Sequence, residues 1–497
     1  MKRLGFLFGI MAISLLTSRS MGAGWVVTDL QPGTYYASAA LAVSPGLQEA
    51  GDVAGPATGS NYHAAMWTGT SSSLTDLNPS GATYSCLLGA NGKQYGVFSG
   101  TSTSNNDHAC LWNGTSASCV DLNPSGATYS CCQAGSGITQ VGYAYGTVTG
   151  SNEHACLWIG TTSSFRDLNP SGCAVSHAWA TSGTQEVGDA YGTVTGGYYH
   201  ASLWTGTSSS WVDLSPAGSA DSYAYGMTSS QQVGSANING YWQAGLWSGT
   251  SASWVNLNPA SATESEAYAV SGSVQAGYAI INGYNHACVW NGSSAGFTDL
   301  HTLLPSNYTD SFASGVCVSV SDIYVGGYAY NGSTGYPSAF LWHYVRGSVT
   351  GTVTLQSYQA NITLVPVTIE IQAANGSLLE AHTVNLSSSG GYSLISQQPA
   401  GSYVAAAKAS HWLARDSALT LDTNGIGTAS FLLLNGDVNG DNFVEDQDYS
   451  LLGAAWYSGV GDSNYNVNAD LNGDGYVEDQ DYSIMGSNWY SSGDHWD

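Results

Sequence analysis

Apolar and small polar residues alternate along most of this chain in short runs broken by Gly, Ser, Thr and Asn, the texture of half-buried strands. The clearest run is His200-Ala201-Ser202-Leu203-Trp204. Gly206-Thr207-Ser208 then reverses the chain, and Trp211-Val212-Asp213-Leu214 makes a second short strand. The same apolar-Trp ending recurs at Trp67, Trp112, Trp158, Trp204, Trp247, Trp290 and Trp342, spaced 43 to 52 residues apart. A period in that range marks a solenoid, propeller or array.

Aligned on Trp, each unit predicts four strands. Around Trp247 they are residues 222–228, 232–238, 242–247 and 254–257, with turns at Ser229-Ser230, Asn239-Gly240 and Gly249-Thr250. Four antiparallel strands in some 45 residues make one propeller blade. The Asp-Leu end of the fourth strand stands at Asp29, Asp76, Asp121, Asp167, Asp213 and Asp299, with Asn256 in its place once. The first of these, residues 25–30, precedes any third strand, and the last third strand, 338–344, has no fourth strand after it. Pairing the two closes a ring of seven blades and hides both sheet edges. An open solenoid would need end caps, and none is evident.

Other positions recur once per blade: Ser38, Ser85, Ser130, Ser176, Ser222, Ser265 and Ser311, and Ala64, Ala109, Ala155, Ala201, Ala244, Ala287 and Ala339. The slot before that alanine is His63, His108, His154, His200 and His286, with Gln243 and Ser338 as exceptions. This His-Ala-x-Leu-Trp, Asp-Leu and Val-Gly signature over residues 25–345 resembles the bacterial extracellular HAF repeat. The resemblance implies an exported propeller-like array and no chemistry.

Ser, His and Asp in each blade could suggest a nucleophilic triad. A catalytic site needs one specially placed set, whereas this set repeats with constant spacing, so we read it as polar pegs. A ring of His binding metal at the axis is the alternative, and it would need facing ligands to converge. A sialidase-type arginine cluster is excluded, because Arg166 is the one arginine in residues 25–345. No catalytic residue is assigned. A hydrolase would need a carboxylate pair outside the repeat register, for which Glu153, Glu186, Glu264 and Glu266 are the candidates. Tyr62, Tyr198, Tyr199, Tyr241, Trp242 and Tyr284 fall just before the third strand of several blades, so they should cluster on one face, either covering blade edges or binding sugar.

Lys2 and Arg3, the apolar run Leu4–Leu16 and small residues near Ala23 predict a signal peptide over residues 1–23. No later stretch is apolar for long enough to span a bilayer, so an extracellular or cell-surface protein is expected. Lys and Arg total eight against 34 Asp and Glu, a net charge of −26, which excludes nucleic acid as a partner. Of the nine cysteines, Cys110, Cys156 and Cys288 share the slot two before Trp and are expected to be buried thiols. Cys86 with Cys131 or Cys132 is the expected disulfide.

After Tyr344 the Trp period stops. Residues 346–435 predict about seven strands, at 348–355, 367–372, 379–386, 391–395, 402–407, 418–421 and 429–434, as in a small β-sandwich. Gly390-Gly391-Tyr392-Ser393-Leu394 followed by Ala400-Gly401-Ser402-Tyr403 resembles carboxypeptidase-regulatory-like and other Ig-like spacer domains.

The sharpest chemistry lies in residues 436–497. Asp437, Asn439, Asp441, Phe443, Glu445 and Asp448 stand at positions 1, 3, 5, 7, 9 and 12 of a calcium loop, and Asp470, Asn472, Asp474, Tyr476, Glu478 and Asp481 repeat it 33 residues later. Calcium takes six to eight hard oxygens, and alternate residues of a tight loop aim carboxylate, amide and carbonyl oxygens inward. Asp replaces the usual position-12 Glu in both loops, and Asn442 replaces Gly at position 6 of the first. A helical pattern follows each loop. Thirteen acidic residues between Asp437 and Asp497 face no Lys or Arg after Arg415, so the module should fold only on calcium. Paired loops with Asp at position 12 and one helix each resemble a type I dockerin. The resemblance implies two calcium ions, a cohesin partner, and near-identical halves that permit docking in two orientations. The positions that recognise the partner in dockerins are Asp446-Gln447 and Asp479-Gln480, which depart from the common Ser/Thr-type pairs.

The sequence therefore predicts a mainly β protein: a seven-bladed β-propeller over 24–345, a β-sandwich spacer and a small α-helical paired calcium-loop domain. The expected role is a secreted, non-catalytic binding or scaffold protein. Its C-terminal module would dock a cohesin-like or envelope protein, and its propeller would present a face to polysaccharide or protein. A polysaccharide-degrading component of an extracellular complex and a structural cell-envelope protein are the competing readings.

Overall fold

The computed structural model describes residues 24–44, 46, 48–319, 322–345, 347–398, 400–422 and 425–496. The expected signal peptide lies outside the described residues. The chain forms two compact units, one from Val27 to Tyr344 and one whose main part begins at Val345.

The first unit contains seven four-stranded antiparallel sheets in a propeller-like arrangement. Six are built from consecutive strands. Sheet 4, for example, runs Cys173–Thr181, Glu186–Gly192, Tyr199–Trp204 and Val212–Asp213. Sheet 7 takes Tyr308–Val318, Asp322–Asn331 and Pro337–Val345 from one end of the unit and Gly24–Asp29 from the other, the pairing that the two orphan strands required. Boundaries shift by a few residues. Around Trp247 the strands are Ser219–Met227, Gln232–Ile238, Tyr241–Trp247 and Val255–Asn256.

Each recurring residue has a packing reason. The repeat Trp side chains are all buried, and they pack against the alanine and leucine of the preceding sheet: Trp112 on Ala64 and Leu77, Trp158 on Ala109 and Leu122, Trp204 on Ala155 and Leu168, while Trp342 donates its indole N–H to Leu300 O. Trp67 of sheet 1 packs in the same way on Ala339, Leu341 and Leu30 of sheet 7. The alanine slot must therefore stay small. The second-strand glycine (Gly51, Gly96, Gly142, Gly188, Gly234, Gly277 and Gly327) is required too, because a Cβ there would run into a first-strand carbonyl oxygen.

The serine register fastens sheet to sheet. Ala64 N donates to Ser85 Oγ (2.9 Å), Ala155 N to Ser176 Oγ (3.0 Å) and Ala287 N to Ser311 Oγ (2.8 Å), each across one sheet boundary. Ala339 N of sheet 7 donates to Ser38 Oγ of sheet 1 (2.9 Å), spanning 301 residues of sequence. These hydroxyls in turn bond the residue two past the Asp register: Ser85 donates to Asn78 Oδ1 (2.6 Å) and Ser176 to Asn169 Oδ1 (2.7 Å), and Ser311 pairs with His301 Nδ1 (2.8 Å).

The expected disulfide is corrected. Cys86, Cys131 and Cys132 carry free, buried thiols, and the bonded pair is Cys110–Cys119. Cys156 and Cys288 are free and buried as expected; Cys110 is buried too but bonded. Its slot faces the residue just before the fourth strand. Elsewhere a small residue there lies against a large one: Trp211 Nε1 donates to Ser202 Oγ (2.8 Å), and the Trp254 ring fills the space over Gly245. In sheet 2 both positions are cysteine, and the covalent bond replaces that packing.

In the second unit, Gly391–Ser396, Gly347–Leu355 and the broken strand Ile426–Thr428/Phe431–Leu433 form one sheet. Leu378–Asn385, Pro366–Gln372, Gly401–Ala409 and Arg415–Leu421 form the other. Val349, Val353, Ile369, Ile371, Leu394, Leu419 and Phe431 from both sheets share one core. The strand expected at 429–434 is thus interrupted and starts earlier. Helices α1 (Asp446–Ala454) and α2 (Asp479–Ser487) follow, each beginning three residues before the expected Tyr449 and Tyr482. Val438, Val444 and Leu452 of the first half and Leu471, Val477 and Met485 of the second make their core, with Leu413 from the two-sheet module inserted.

Candidate metal loops and docking face

The two twelve-residue loops fold alike. In each, the position-12 carboxylate turns back to the loop: Asp448 accepts from Asn439 N (3.0 Å) and Glu445 N (2.9 Å), and Asp481 from Leu471 N (2.7 Å), Asn472 N (3.1 Å) and Glu478 N (2.8 Å). Both are fully buried, and each caps its helix N-terminus, where a carboxylate also meets the positive end of the helix dipole. Asp is the side chain short enough for this tight return. Asp441 and Asp474 each accept from the backbone N–H two residues on and from the preceding Asn amide.

Position 1 differs. Asp470 accepts from Gly473 N (2.9 Å), Asp474 N (3.1 Å), Gly475 N (2.8 Å) and Tyr465 Oη (2.7 Å), all neutral donors. Asp437 accepts from Asn442 N (3.1 Å) and, through the same oxygen, from the Lys408 ammonium at 2.7 Å. Its other oxygen, Oδ1, is buried with no donor, and burial raises the carboxyl above its ordinary pKa.

Among the described residues no three His, Cys, Asp or Glu side chains converge as a metal-holding group. The donor set nevertheless fits a hard dication: each loop offers carboxylate, amide and backbone oxygens within one turn, and Asp437 Oδ1 lacks the partner that a buried charged oxygen requires. The residues that would hold calcium are those of the sequence pattern.

Asn442 also has a reason. It adopts the left-handed φ of 69° that Gly475 takes in the second loop (95°), a conformation Asn tolerates. Its amide is used: Oδ1 accepts from Ala414 N (2.7 Å) and Nδ2 donates to Asp494 O (2.9 Å). Lys408, Tyr465 and this use of Asn442 were not found from sequence, since their partners lie outside the twelve-residue window.

At the start of each helix Asp446, Gln447, Asp479 and Gln480 are all exposed. Tyr449 and Tyr482 stand 5.9 Å apart between ring centres, with Trp489 against the first and Trp456 against the second, an exchange of equivalents 33 residues apart. Asp446, Tyr449, Tyr482 and Trp489 line a cavity of about 470 Å³. Asp479 and Gln480 line another of about 520 Å³ with Ser357, Tyr358 and Gln359 of the two-sheet module, so the two halves are not equally surrounded.

In the seven-sheet unit the repeated His and Asp pair with each other: His63–Asp76, His108–Asp121, His200–Asp213 and His286–Asp299 at 2.8 Å, and His154–Asp167 at 2.7 Å. Where Asp becomes Asn256, His becomes Gln243, and those two amides bond instead. Individual chemistry sits one place past the ring serine. There His177 bridges Asp189 (2.9 Å) and Glu153 (3.2 Å), and Trp179 Nε1 donates to Asp189 (2.5 Å). Of the four candidate glutamates, Glu186 is a buried turn cap accepting from Gly206 N (2.7 Å). Glu264 lies next to the strand that carries Glu266. Glu153 and Glu266 sit among tyrosines, accepting from Tyr129 (2.8 Å) and Tyr278 (3.0 Å) respectively. Tyr62, Tyr198, Tyr241 and Tyr284 are exposed, whereas Tyr199 and Trp242 are half-buried against Tyr223.

Paired loops, each running into one helix and with aromatic partners exchanged between equivalent positions 33 residues apart, define a two-fold repeated loop–helix module. Residues 435–487 match the family model of the dockerin type I domain, a class of domain that binds calcium. Among solved structures, a type II cohesin–X–dockerin complex mutant from Acetivibrio cellulolyticus is 20% identical, covering 29% of this chain and 97% of that one, with a TM-score of 0.25. The β-propeller domain of the trilobed protease from Pyrococcus furiosus is 9% identical, covering 62% and 95%, TM-score 0.40. A puromycin-hydrolyzing peptidase from Mycobacterium tuberculosis is 11% identical, covering 76% and 61%, TM-score 0.40. These likenesses are too distant to assign an activity. No curated protein matches the chain.

Proposed function

We propose that this is an exported, non-catalytic docking protein: a closed seven-bladed propeller presents a binding face, a β-sandwich spaces it, and the C-terminal module takes up two calcium ions and docks a cohesin-type partner. One observation carries the reading. Two in-register loops, each closed by a buried Asp onto a nine-residue helix, bring Asp446-Gln447 and Asp479-Gln480 to the surface, with Asp446 at an aromatic groove and Asp479 and Gln480 at a second cavity. Polysaccharide is the ligand class favoured for the propeller, because Tyr198, Tyr241 and Tyr284 are exposed at one equivalent position around the start of the third strand, Tyr62 is exposed one place on, and rings of this kind stack on sugars. The test is capture of the full chain on an immobilised panel of cohesin domains, in calcium and in EDTA. Calcium-dependent capture that is weakened in D446A/Q447A/D479A/Q480A supports the proposal; capture by none of the panel would overturn the partner assignment.

One observation favours a hydrolytic reading. Burial raises the Glu266 carboxyl above its ordinary pKa while Tyr278, Tyr225 and Tyr268 hydroxyls pull it back, the surroundings of a general acid. Release of reducing sugar from plant or bacterial polysaccharides by the wild type, abolished in E266Q, would replace the non-catalytic reading.

A further inference from the structure

The two metal loops are chemically unequal, and the inequality comes from outside them. Lys408 belongs to strand Gly401–Ala409 of the two-sheet module, yet its ammonium lies 2.7 Å from Asp437 Oδ2 and 3.2 Å from Trp412 O. Its side chain is 13% exposed and that of Asp437 is 0% exposed, so the pair is shielded from the solvent screening that weakens surface ion pairs. At the equivalent place in the second loop, Asp470 meets the neutral Tyr465 hydroxyl and backbone N–H groups.

We propose that Lys408 is a resident counter-charge of the first calcium loop, so that this loop fills last and stays ordered when it is empty. The inference rests on the calcium-binding reading given above. A fixed positive charge sharing the position-1 carboxylate repels an arriving dication, and a buried pair is screened less than a surface one. The same charge offsets the repulsion among Asp437, Asp441 and Asp448 before metal arrives. Among the described residues no ammonium or guanidinium pairs with the second loop, so its carboxylates depend on the ion. Neighbouring anchors act on the same joint: Ala414 N donates to Asn442 Oδ1 (2.7 Å), and Arg415 Nη1 to Ser492 O (2.9 Å). Lys408 is therefore a positioning residue that couples the β module to the metal affinity of its neighbour.

The test is calorimetric titration of the full chain with calcium, starting from chelator-treated protein. Wild type should show two classes of site at least tenfold apart. D437A should remove the weaker class and leave the tighter one, and D470A the reverse. K408Q, whose amide can still donate to Asp437, should tighten the weaker class at least tenfold without changing the tighter one, and should lower the melting temperature of the module in EDTA but not in saturating calcium. Two equal classes in the wild type, loss of the tighter class in D437A, or an unchanged weaker class in K408Q would each overturn the inference while leaving calcium binding intact. No uptake at all would defeat the calcium reading itself. Should K408Q not fold, the D437A and D470A titrations decide the ranking of the loops.

Discussion

Ser38 tests whether the seven sheets close into a ring. Its hydroxyl accepts from Ala339 N and donates to Gln31 Oε1 across the seam between sheets 7 and 1. Ser176 does the same work within the array, accepting from Ala155 N and donating to Asn169 Oδ1. Both serines are fully buried. Replacing either with Ala leaves a backbone N–H unpaired where water cannot reach it, at a cost of about 2 kcal/mol. Unfolding entropy near 2 cal/mol/K per residue gives ~0.7 kcal/mol/K for a unit of roughly 320 residues, so each kcal/mol moves Tm by about 1.5 °C. S38A and S176A should therefore each lower the Tm of the Trp-rich unit by about 3 °C, measured by scanning calorimetry of the full chain at fixed calcium. The equality is the point, because in an open array Ser38 would be an end residue facing solvent. If S176A falls by this amount and S38A does not move, the seam between sheets 7 and 1 is not closed.

Three further expectations follow from the same packing. G188A should be among the most damaging small substitutions in the unit, because the new methyl meets the His177 carbonyl inside a paired strand; soluble yield and Tm would show it, and wild-type behaviour would refute the close approach. Glu49 and Glu186 hold slots that are Gln94, Gln140, Gln232 and Gln275 in other sheets, and burial raises both carboxyls above their ordinary pKa. The folded state therefore holds these protons more tightly than the unfolded chain, so the contribution of these two groups to stability is full below the ordinary Glu range and is lost as pH rises through the raised values; E49Q/E186Q should remove that loss in a pH series of melts. Trp342 Nε1 donates to Leu300 O (3.1 Å) whereas the Trp204 indole N–H is buried without a partner, so W342F should cost about 1 kcal/mol more than W204F in urea denaturation.

Much of this molecule was legible before its structure. The Trp period, the count of fourth strands and the two orphans foretold seven sheets and the pairing of Gly24–Asp29 with Pro337–Val345. The spacing of Asp437 to Asp448 and of Asp470 to Asp481 foretold the loops and the helices after them. Both signals are local: strand alternation and ligand spacing are properties of consecutive residues, so a linear text displays them. Repetition then amplified them, and it also named the slots. The order Ser, Ala, His and Asp was visible without the contacts that explain it.

What the linear text could not decide was which slots face each other. That Ser38 serves Ala339, that Cys110 bonds Cys119 rather than leaving Cys86 to pair with a neighbour, and that Lys408 reaches Asp437 depend on where backbone segments far apart in sequence come to rest. The same holds for Asn442, whose place in a glycine slot makes sense only once Ala414 and Asp494 lie beside it. Spacing along a chain sets which side chains share a face of one strand or one turn. Distance across a packed boundary is set by the sum of all the packing, and only the folded chain supplies that sum.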